Sequence, residues 1–133
     1  MSVGKDIRLA RLLNNKSGRL LAVTMDHPIT RGVLPGLDNI RKTMEQVVAG
    51  KPDAVTIQKG IARSVFPPYA GKVALIMKST SYSLDYHPHY DTPVADVEEA
   101  VVLGADAISG GMIVGGPEQG AQLTHMGKIS KEA

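Results

Sequence analysis

The sequence of 133 residues contains no cysteine. This absence excludes disulfide bonds, zinc sites built from thiolates and cysteine nucleophiles, so any chemistry must use oxygen and nitrogen groups. The chain also lacks an apolar run near the roughly 20 residues that a membrane span needs. Residues 1–6 do not resemble the apolar core of a signal peptide. We therefore expect a cytoplasmic location and no membrane partner.

Charge of one sign is not concentrated anywhere along the chain. The 15 basic and 13 acidic residues are scattered and give a net charge of +2, without the basic stripe that binding a nucleic-acid backbone requires. We expect no nucleic-acid partner. Length and composition are those of one globular domain, so we predict a single domain over residues 1–133, with residues 1–18 as a helical lead-in.

Short apolar segments alternate with amphipathic ones. Strands are predicted over 20–25, 54–58, 73–77 and 107–114, each rich in aliphatic or β-branched residues. Helical spacing is found over 37–48, ending at Gly50, and over 117–133, while 61–69 contains two prolines and allows only a short helix. Another helix is predicted to begin with Thr92 as its N-cap and to reach Gly104.

Two of the predicted helices lead into a strand through similar sequences. Gly50, Asp53 and Ala54 precede one strand, and Gly104, Asp106 and Ala107 precede another, which indicates that one type of turn is used twice. Strands that alternate with helices through short turns favour a parallel sheet with right-handed crossovers. We therefore predict the α/β class, as four strands of a (β/α)8 barrel, with the first and fourth strands as open edges.

In such an architecture the functional side chains follow the carboxyl ends of the strands. Asp26 follows the first strand and is a candidate for proton transfer or for holding a substrate hydroxyl, the alternative being a turn cap. On extended backbone the adjacent His27 would point to the opposite face, so we expect it to be structural. Lys59 and Lys78 follow the next two strands, where burial would favour imine chemistry; the alternative is that both reach solvent.

The segment 79–91, after the third strand, is predicted as a loop and offers a second kind of site. Asp85, His87, His89 and Asp91 could bind a divalent metal, although a solvated loop explains them as well. Further along, the pairs Gly110-Gly111 and Gly115-Gly116 would allow close approach to a phosphate, but they lack a phosphate-binding pattern.

Several motifs agree in order and separation with one known family. They are Val-Thr-Met-Asp-His at 23–27, the segments 36–43 and 58–65, the proline pair at 67–68 and the segment 97–107. Over nearly all of its length the chain resembles the class I aldolases of the archaeal fructose-bisphosphate aldolase type. Their relatives include the aminodideoxyheptulosonate synthases and the enzymes that process phosphorylated autoinducer-2.

The resemblance implies a role for Asp26, because the matching aspartate of the family lies in the active site. It also implies that Lys59 occupies a position that is not the nucleophile. The family's Schiff-base lysine lies on the sixth strand, its acid/base partner near the fifth and its phosphate-binding backbone after the seventh and eighth, beyond the four strands predicted here. Pro28 stands where the family usually has glycine.

The function implied by the resemblance is a lyase that makes or breaks a carbon–carbon bond of a phosphorylated keto sugar through a lysine imine. Asp26 is then the catalytic candidate, with His27, Lys59 and Lys78 as candidates for substrate binding. We expect no cofactor, no metal, a homo-oligomer, and no aldolase activity from this chain alone. Two alternatives remain open: a metal-dependent lyase or hydrolase using His87 and His89, and a non-catalytic half-barrel that oligomerises.

Overall fold

A computed structural model describes residues 2–84 and 87–133, without the side chain of His87. The helices are α1 (Val3–Leu12), α2 (His27–Arg31), α3 (Ile40–Ala49), α4 (Lys59–Ser64), α5 (Val97–Val102) and α6 (Gln119–Glu132), with a 3-10 turn at Pro67–Tyr69. The strands are β1 (Ala22–Thr24), β2 (Ala54–Gln58), β3 (Ala74–Lys78), β4 (Thr80–Ser83), β5 (His87–Pro93) and β6 (Ala107–Ser109).

Four of the strands form one parallel sheet in the order β1-β2-β3-β6. The two central strands are almost entirely buried, because helices or the barrel interior cover both of their faces, and this explains their continuous apolar sequences. The remaining strands, β4 and β5, pair as an antiparallel hairpin. The predicted half of a (β/α)8 barrel is therefore confirmed.

Apolar side chains pack on both faces of this sheet. On the outer face Val55, Ile57, Leu75 and Met77 belong to one core together with Met44 of α3 and with buried alanines of α4 and α5. On the inner face a smaller cluster joins Ala54, Ala74 and Ile76 of the central strands to Leu12 of α1. The alternation of side chains along each strand thus separates the helix-facing core from the barrel interior.

The two similar turns before β2 and β6 have the same hydrogen bonds. The carboxylate of Asp53 accepts from the backbone N–H of Leu21 at 2.8 Å, and that of Asp106 accepts from Leu75 N–H at 3.2 Å. Counted back from these aspartates, Lys51 and Gly104 are equivalent, and both have positive φ, at 56° and 73°. Positive φ costs Gly104 little because glycine has no Cβ, whereas Lys51 adopts the same conformation with strain.

The predicted N-cap at Thr92 is wrong. Thr92 and Pro93 end β5, and α5 begins four residues later, where the carboxylate of Asp96 accepts a hydrogen bond from the N–H of Glu99 at 2.8 Å. A proline with no N–H fits the end of a strand in a two-stranded hairpin as well as the first turn of a helix. The segment 79–91, predicted as a loop, contributes to that hairpin, and β6 is shorter than the predicted strand.

No helix within residues 2–84 and 87–133 has the length and apolar composition to cross a membrane.

Candidate active site

The parallel register brings polar residues together at the carboxyl edge of the sheet. Lys78 of β3 lies between Gln58 of β2 and Ser109 of β6 in the same row. Thr24 of β1 is level with Thr56 of β2. Two residues further along each chain segment come Asp26 and Gln58, so Asp26 lies at the same edge. Strand ends that are far apart in sequence thus converge on one place.

A cleft of about 280 Å³ opens at this edge, between the strand ends, α2 and the hairpin. The cleft is surrounded by two carboxylates, two basic side chains, an imidazole and three hydroxyl groups. They belong to Asp26, His27, Thr30, Arg31, Lys78, Ser81, Tyr82 and Asp91. Such a mixture of acids, cations and hydroxyls suits a small, charged and hydroxylated ligand better than an apolar one.

The carboxylate of Asp26 does not cap the helix that follows it. The residue precedes α2 as its N-cap, yet its side chain makes no capping hydrogen bond. The capping alternative therefore does not account for this aspartate. A half-buried carboxylate at the mouth of a cleft is placed to accept a hydrogen bond or a proton from a bound hydroxyl group.

His27 also borders the cleft, although adjacent residues on extended backbone would face opposite sides. Asp26 has φ −95° and ψ 3°, which is not extended, and His27 is already the first residue of α2. The helical turn lets both side chains reach the same cleft. The imidazole Nδ1 is buried and has no hydrogen-bond partner within the described residues. Pro28 follows in the first turn of this helix, where a missing N–H costs nothing.

Lys78 reaches the cleft with a side chain that is only 19% exposed. Its Nζ lies 4.0 Å from Oδ2 of Asp91, whose side chain is 4% exposed. Buried charges require an opposite charge nearby, and these two side chains supply opposite charges to each other. A cation held in this way at the cleft is available to an anionic ligand.

Lys59 does not border this cleft. Its Nζ contacts both carboxylate oxygens of Glu99, at 2.9 and 3.1 Å. Both side chains are about 40% exposed, and ion pairs so accessible to water stabilise a protein by about 1 kcal/mol or less. The pair links α4 to the first turn of α5, and a substrate-binding role for Lys59 stays a prediction.

The hairpin that completes the cleft is attached to α6 by Gln122, which is 2% exposed. Its Oε1 accepts hydrogen bonds from the N–H of Asp91 at 3.1 Å and of Ile113 at 2.9 Å. Its Nε2 donates to the carbonyl oxygen of His89 at 2.9 Å. One amide side chain thus fixes both the hairpin and the segment after β6.

The proposed metal ligands fall partly outside the described residues: Asp85 and the side chain of His87 are not described. In the part of the chain that is described, no three His, Asp or Glu side chains come together as a metal site would require. Asp91 is instead directed to Thr80 and Lys78, and the side chain of His89 is not among those around the cleft.

A larger cavity of about 550 Å³ lies at the opposite edge of the sheet, where Asp53 and Asp106 are found with Arg11 and Lys72. Both carboxylates there already accept hydrogen bonds from backbone N–H groups. They are occupied in holding the starts of strands, and active sites of parallel βα architectures lie at the other edge. We therefore assign this cavity a structural role.

Comparison with known proteins identifies the architecture. The model of the DeoC/LacD family aldolases matches residues 20–133. The chain belongs to this family. A 2-amino-3,7-dideoxy-D-threo-hept-6-ulosonate synthase of Halobacterium salinarum is 37% identical over 132 residues, which are 98% of this chain and 48% of that protein. A 2-amino-4,5-dihydroxy-6-oxo-7-(phosphonooxy)heptanoate synthase of Streptomyces griseus is 28% identical, over 96% of this chain and 47% of that protein.

Solved structures show the same half-barrel. An archaeal fructose-1,6-bisphosphate aldolase, with its catalytic lysine bound covalently to a carbinolamine intermediate, superposes with a TM-score of 0.79 at 25% identity. A Schiff-base-forming fructose-1,6-bisphosphate aldolase has a TM-score of 0.81 at 24% identity, which shows the fold. Each match covers 97% of this chain and 52% of the other chain. The chain spans about half the length of the curated relatives it matches.

Three polar residues that shape the site had no sequence signal of their own: Thr80, Ser81 and Gln122. Thr80 and Ser81 lie on β4, in the segment predicted as a loop, and Gln122 lies on α6 between Ala121 and Leu123. The alternation of Thr, Ser, Tyr and Ser over β4 is a weak strand pattern. The importance of Gln122 follows only from the packing of α6 against the hairpin.

Replacement of Gln122 by leucine is expected to lower the free energy of unfolding by about 1–3 kcal/mol, since the N–H groups of Asp91 and Ile113 and the carbonyl of His89 lose a buried partner. Urea unfolding followed by circular dichroism measures this loss. Gln119→Leu, on the same helix, is the control, because its single hydrogen bond is exposed. Equal loss in the two variants would contradict the role of Gln122.

Proposed function

We propose that this chain is the substrate-binding first half of a class I aldolase, a carbon–carbon lyase that acts on a phosphorylated keto sugar through a lysine imine. The observation that carries the proposal is the cleft at the carboxyl edge of the sheet, where Asp26 and Lys78 meet in a DeoC/LacD aldolase fold. The solved neighbour with its catalytic lysine in a covalent intermediate supports this reaction class.

In the proposed reaction a lysine amine condenses with the ketone of the sugar and water is lost. The protonated imine then accepts the electron pair of the carbon–carbon bond as that bond breaks, while the hydroxyl next to it loses its proton and becomes a carbonyl. The resemblance to the family puts this lysine on the sixth strand of the barrel, whereas β1, β2, β3 and β6 represent the first four. We propose that this chain alone does not catalyse the reaction.

Asp26 is the catalytic residue that the chain contributes. Its carboxylate borders the cleft and makes no capping hydrogen bond, so it can accept the proton of the reacting hydroxyl or hold that hydroxyl in place. Lys78 and Arg31 put positive charge around the same cleft, which suits the phosphate of the substrate. His27 supplies a further polar group for substrate binding.

The metal-dependent alternative stays a prediction, because Asp85 and the side chain of His87 lie outside the described residues. The cytoplasmic location expected from the sequence stays a prediction.

We also propose that the chain forms a homo-oligomer. Within residues 2–84 and 87–133, strands β1 and β6 each pair with one strand of the sheet, and the edge that is left can pair with another chain. Leu21, directly before β1, is 60% exposed, and Val114, in the segment after β6, is 74% exposed. Exposed sheet edges flanked by apolar side chains favour association.

The catalytic role of Asp26 can be tested in a chimaera that joins this chain to the second half of the archaeal fructose-1,6-bisphosphate aldolase whose structure it resembles. We expect carbon–carbon bond cleavage of fructose 1,6-bisphosphate by the chimaera, and a fall in kcat of about 10²–10⁴-fold in Asp26→Asn, because the proton acceptor is lost. Coupled assay of the released dihydroxyacetone phosphate measures both rates.

Asp38→Asn is the matched control, because Asp38 is an exposed aspartate that does not border the cleft, and it should leave kcat unchanged. The archaeal aldolase's own halves, joined at the same point, show whether the junction permits activity. If that control is active and the chimaera is not, or if Asp26→Asn keeps full activity, the proposal is wrong.

Sedimentation velocity tests the oligomer. We expect a species heavier than 14.1 kDa whose share grows with protein concentration, because association covers the strand edges. Replacing Leu21 with lysine puts a charge next to the β1 edge and should shift the population towards monomer. Lys16→Glu, on the exposed segment that precedes β1, is the control for a change of charge. A stable monomer at all concentrations would contradict self-association.

A further inference from the structure

Lys78 presents an ammonium group that makes no hydrogen bond within residues 2–84 and 87–133. An ammonium has three N–H donors, and the contact with Asp91 at 4.0 Å is longer than a hydrogen bond. The side chain is nevertheless largely buried, with its head at the cleft that Asp26 also borders. Its donors are therefore directed to a place that a ligand can reach.

Two successive hydrogen bonds hold Asp91, the partner of Lys78 in this ion pair. The backbone N–H of Gly111 donates to Oγ1 of Thr80 at 2.7 Å, and Thr80 Oγ1 donates to Oδ2 of Asp91 at 2.9 Å. Because a backbone N–H can only donate, the single hydroxyl proton of Thr80 is left for the carboxylate. The carboxylate therefore accepts a hydrogen bond at Oδ2, the same oxygen that lies 4.0 Å from Nζ of Lys78.

Gly111 permits this arrangement by having no side chain. A Cβ at this position would lie 1.8 Å from Oδ2 of Asp91 and 3.1 Å from Nζ of Lys78. Thr80 hydrogen-bonds Oδ2 of the Asp91 carboxylate, while Gln122 holds the backbone N–H of the same residue. The other carboxylate oxygen, Oδ1, is buried without a hydrogen-bond partner within residues 2–84 and 87–133. Contacts from β4 and α6 thus hold Asp91 beside Lys78.

We infer that Asp91 is a positioning residue which holds the Lys78 ammonium at the cleft, so that Lys78 binds the anionic group of the ligand. The inference rests on the proposed function for the role of Lys78 in binding a phosphorylated keto sugar. Asp91 itself acts through Lys78. The hairpin β4–β5 thereby contributes to substrate binding as well as to the wall of the cleft.

The two possible roles of Asp91 predict opposite changes in ligand affinity when its charge is removed, so the inference can be tested. Removing a negative charge beside an anion site strengthens binding if the charge acts only through space. If Asp91 positions Lys78, the variant Asp91→Asn should instead weaken the affinity for dihydroxyacetone phosphate by about tenfold. Isothermal titration calorimetry on the chain measures this change, and Glu45→Gln, which removes an exposed carboxylate of α3, should leave the affinity unchanged.

A double-mutant cycle shows whether Asp91 acts through Lys78. Lys78→Met should weaken binding at least as much as Asp91→Asn, and the double variant should be no weaker than Lys78→Met alone. If Lys78→Met weakens binding but Asp91→Asn leaves it unchanged or tighter, the inference is overturned and the role of Lys78 in the proposed function stands. If Lys78→Met binds as the unchanged chain does, the assignment of Lys78 to substrate binding fails, and the inference with it.

A measurement without ligand separates the two proposals and does not depend on affinity. Nitrogen-15 NMR detects a lysine ammonium when a fixed partner slows the exchange of its protons with water. We expect a signal from Lys78 in the unchanged chain and its loss in Asp91→Asn and in Thr80→Val, with the signal kept in Glu45→Gln. An absent Lys78 signal in the unchanged chain, or an equal signal in Asp91→Asn, would overturn the inference.

Discussion

The parallel register of β1, β2, β3 and β6 is the constraint on which the candidate site depends. Residues Gln58, Lys78 and Ser109 are far apart in sequence but lie in one row because the strands pair without offset. A shift by one residue would turn each inward side chain to the helix-facing side of the sheet. The difference between the two faces of β2 and β3 fixes the register, since a shift by one residue would turn Gln58 and Lys78 into the helix-facing core in place of Ile57 and Met77.

The predictable part of the fold is the part that the burial of β2 and β3 determines. Strand β2 was predicted with its observed bounds, and β3 to within one residue, because continuous apolar runs have few alternative placements. The hairpin was missed because its strands carry polar side chains and contain Pro88 and Pro93. Those strands are held by contacts with α2 and α6 that are distant in sequence, so no local pattern indicates them.

Some residues of the candidate site could likewise be predicted from the sequence, and others could not. Asp26 and Lys78 follow strands that could be recognised from the sequence, so the rule that sites lie at the carboxyl ends of parallel strands selected them. The same rule selected Lys59, but the structure pairs it with Glu99 away from the cleft. Asp91 was noticed only as a metal ligand, because its contacts with Thr80 and Lys78 depend on the hairpin. Sequence reasoning thus found the residues of the sheet and missed what the hairpin adds to them.

We propose that this chain supplies the binding surface of a class I aldolase, while the imine-forming lysine belongs to the second half of the barrel. Intact-mass spectrometry after borohydride reduction in the presence of dihydroxyacetone phosphate tests this claim most directly, because reduction makes any imine permanent. The account predicts an unchanged mass for this chain and an adduct on the second half when both halves are present. A covalent adduct on this chain alone, at Lys59 or Lys78, would contradict it.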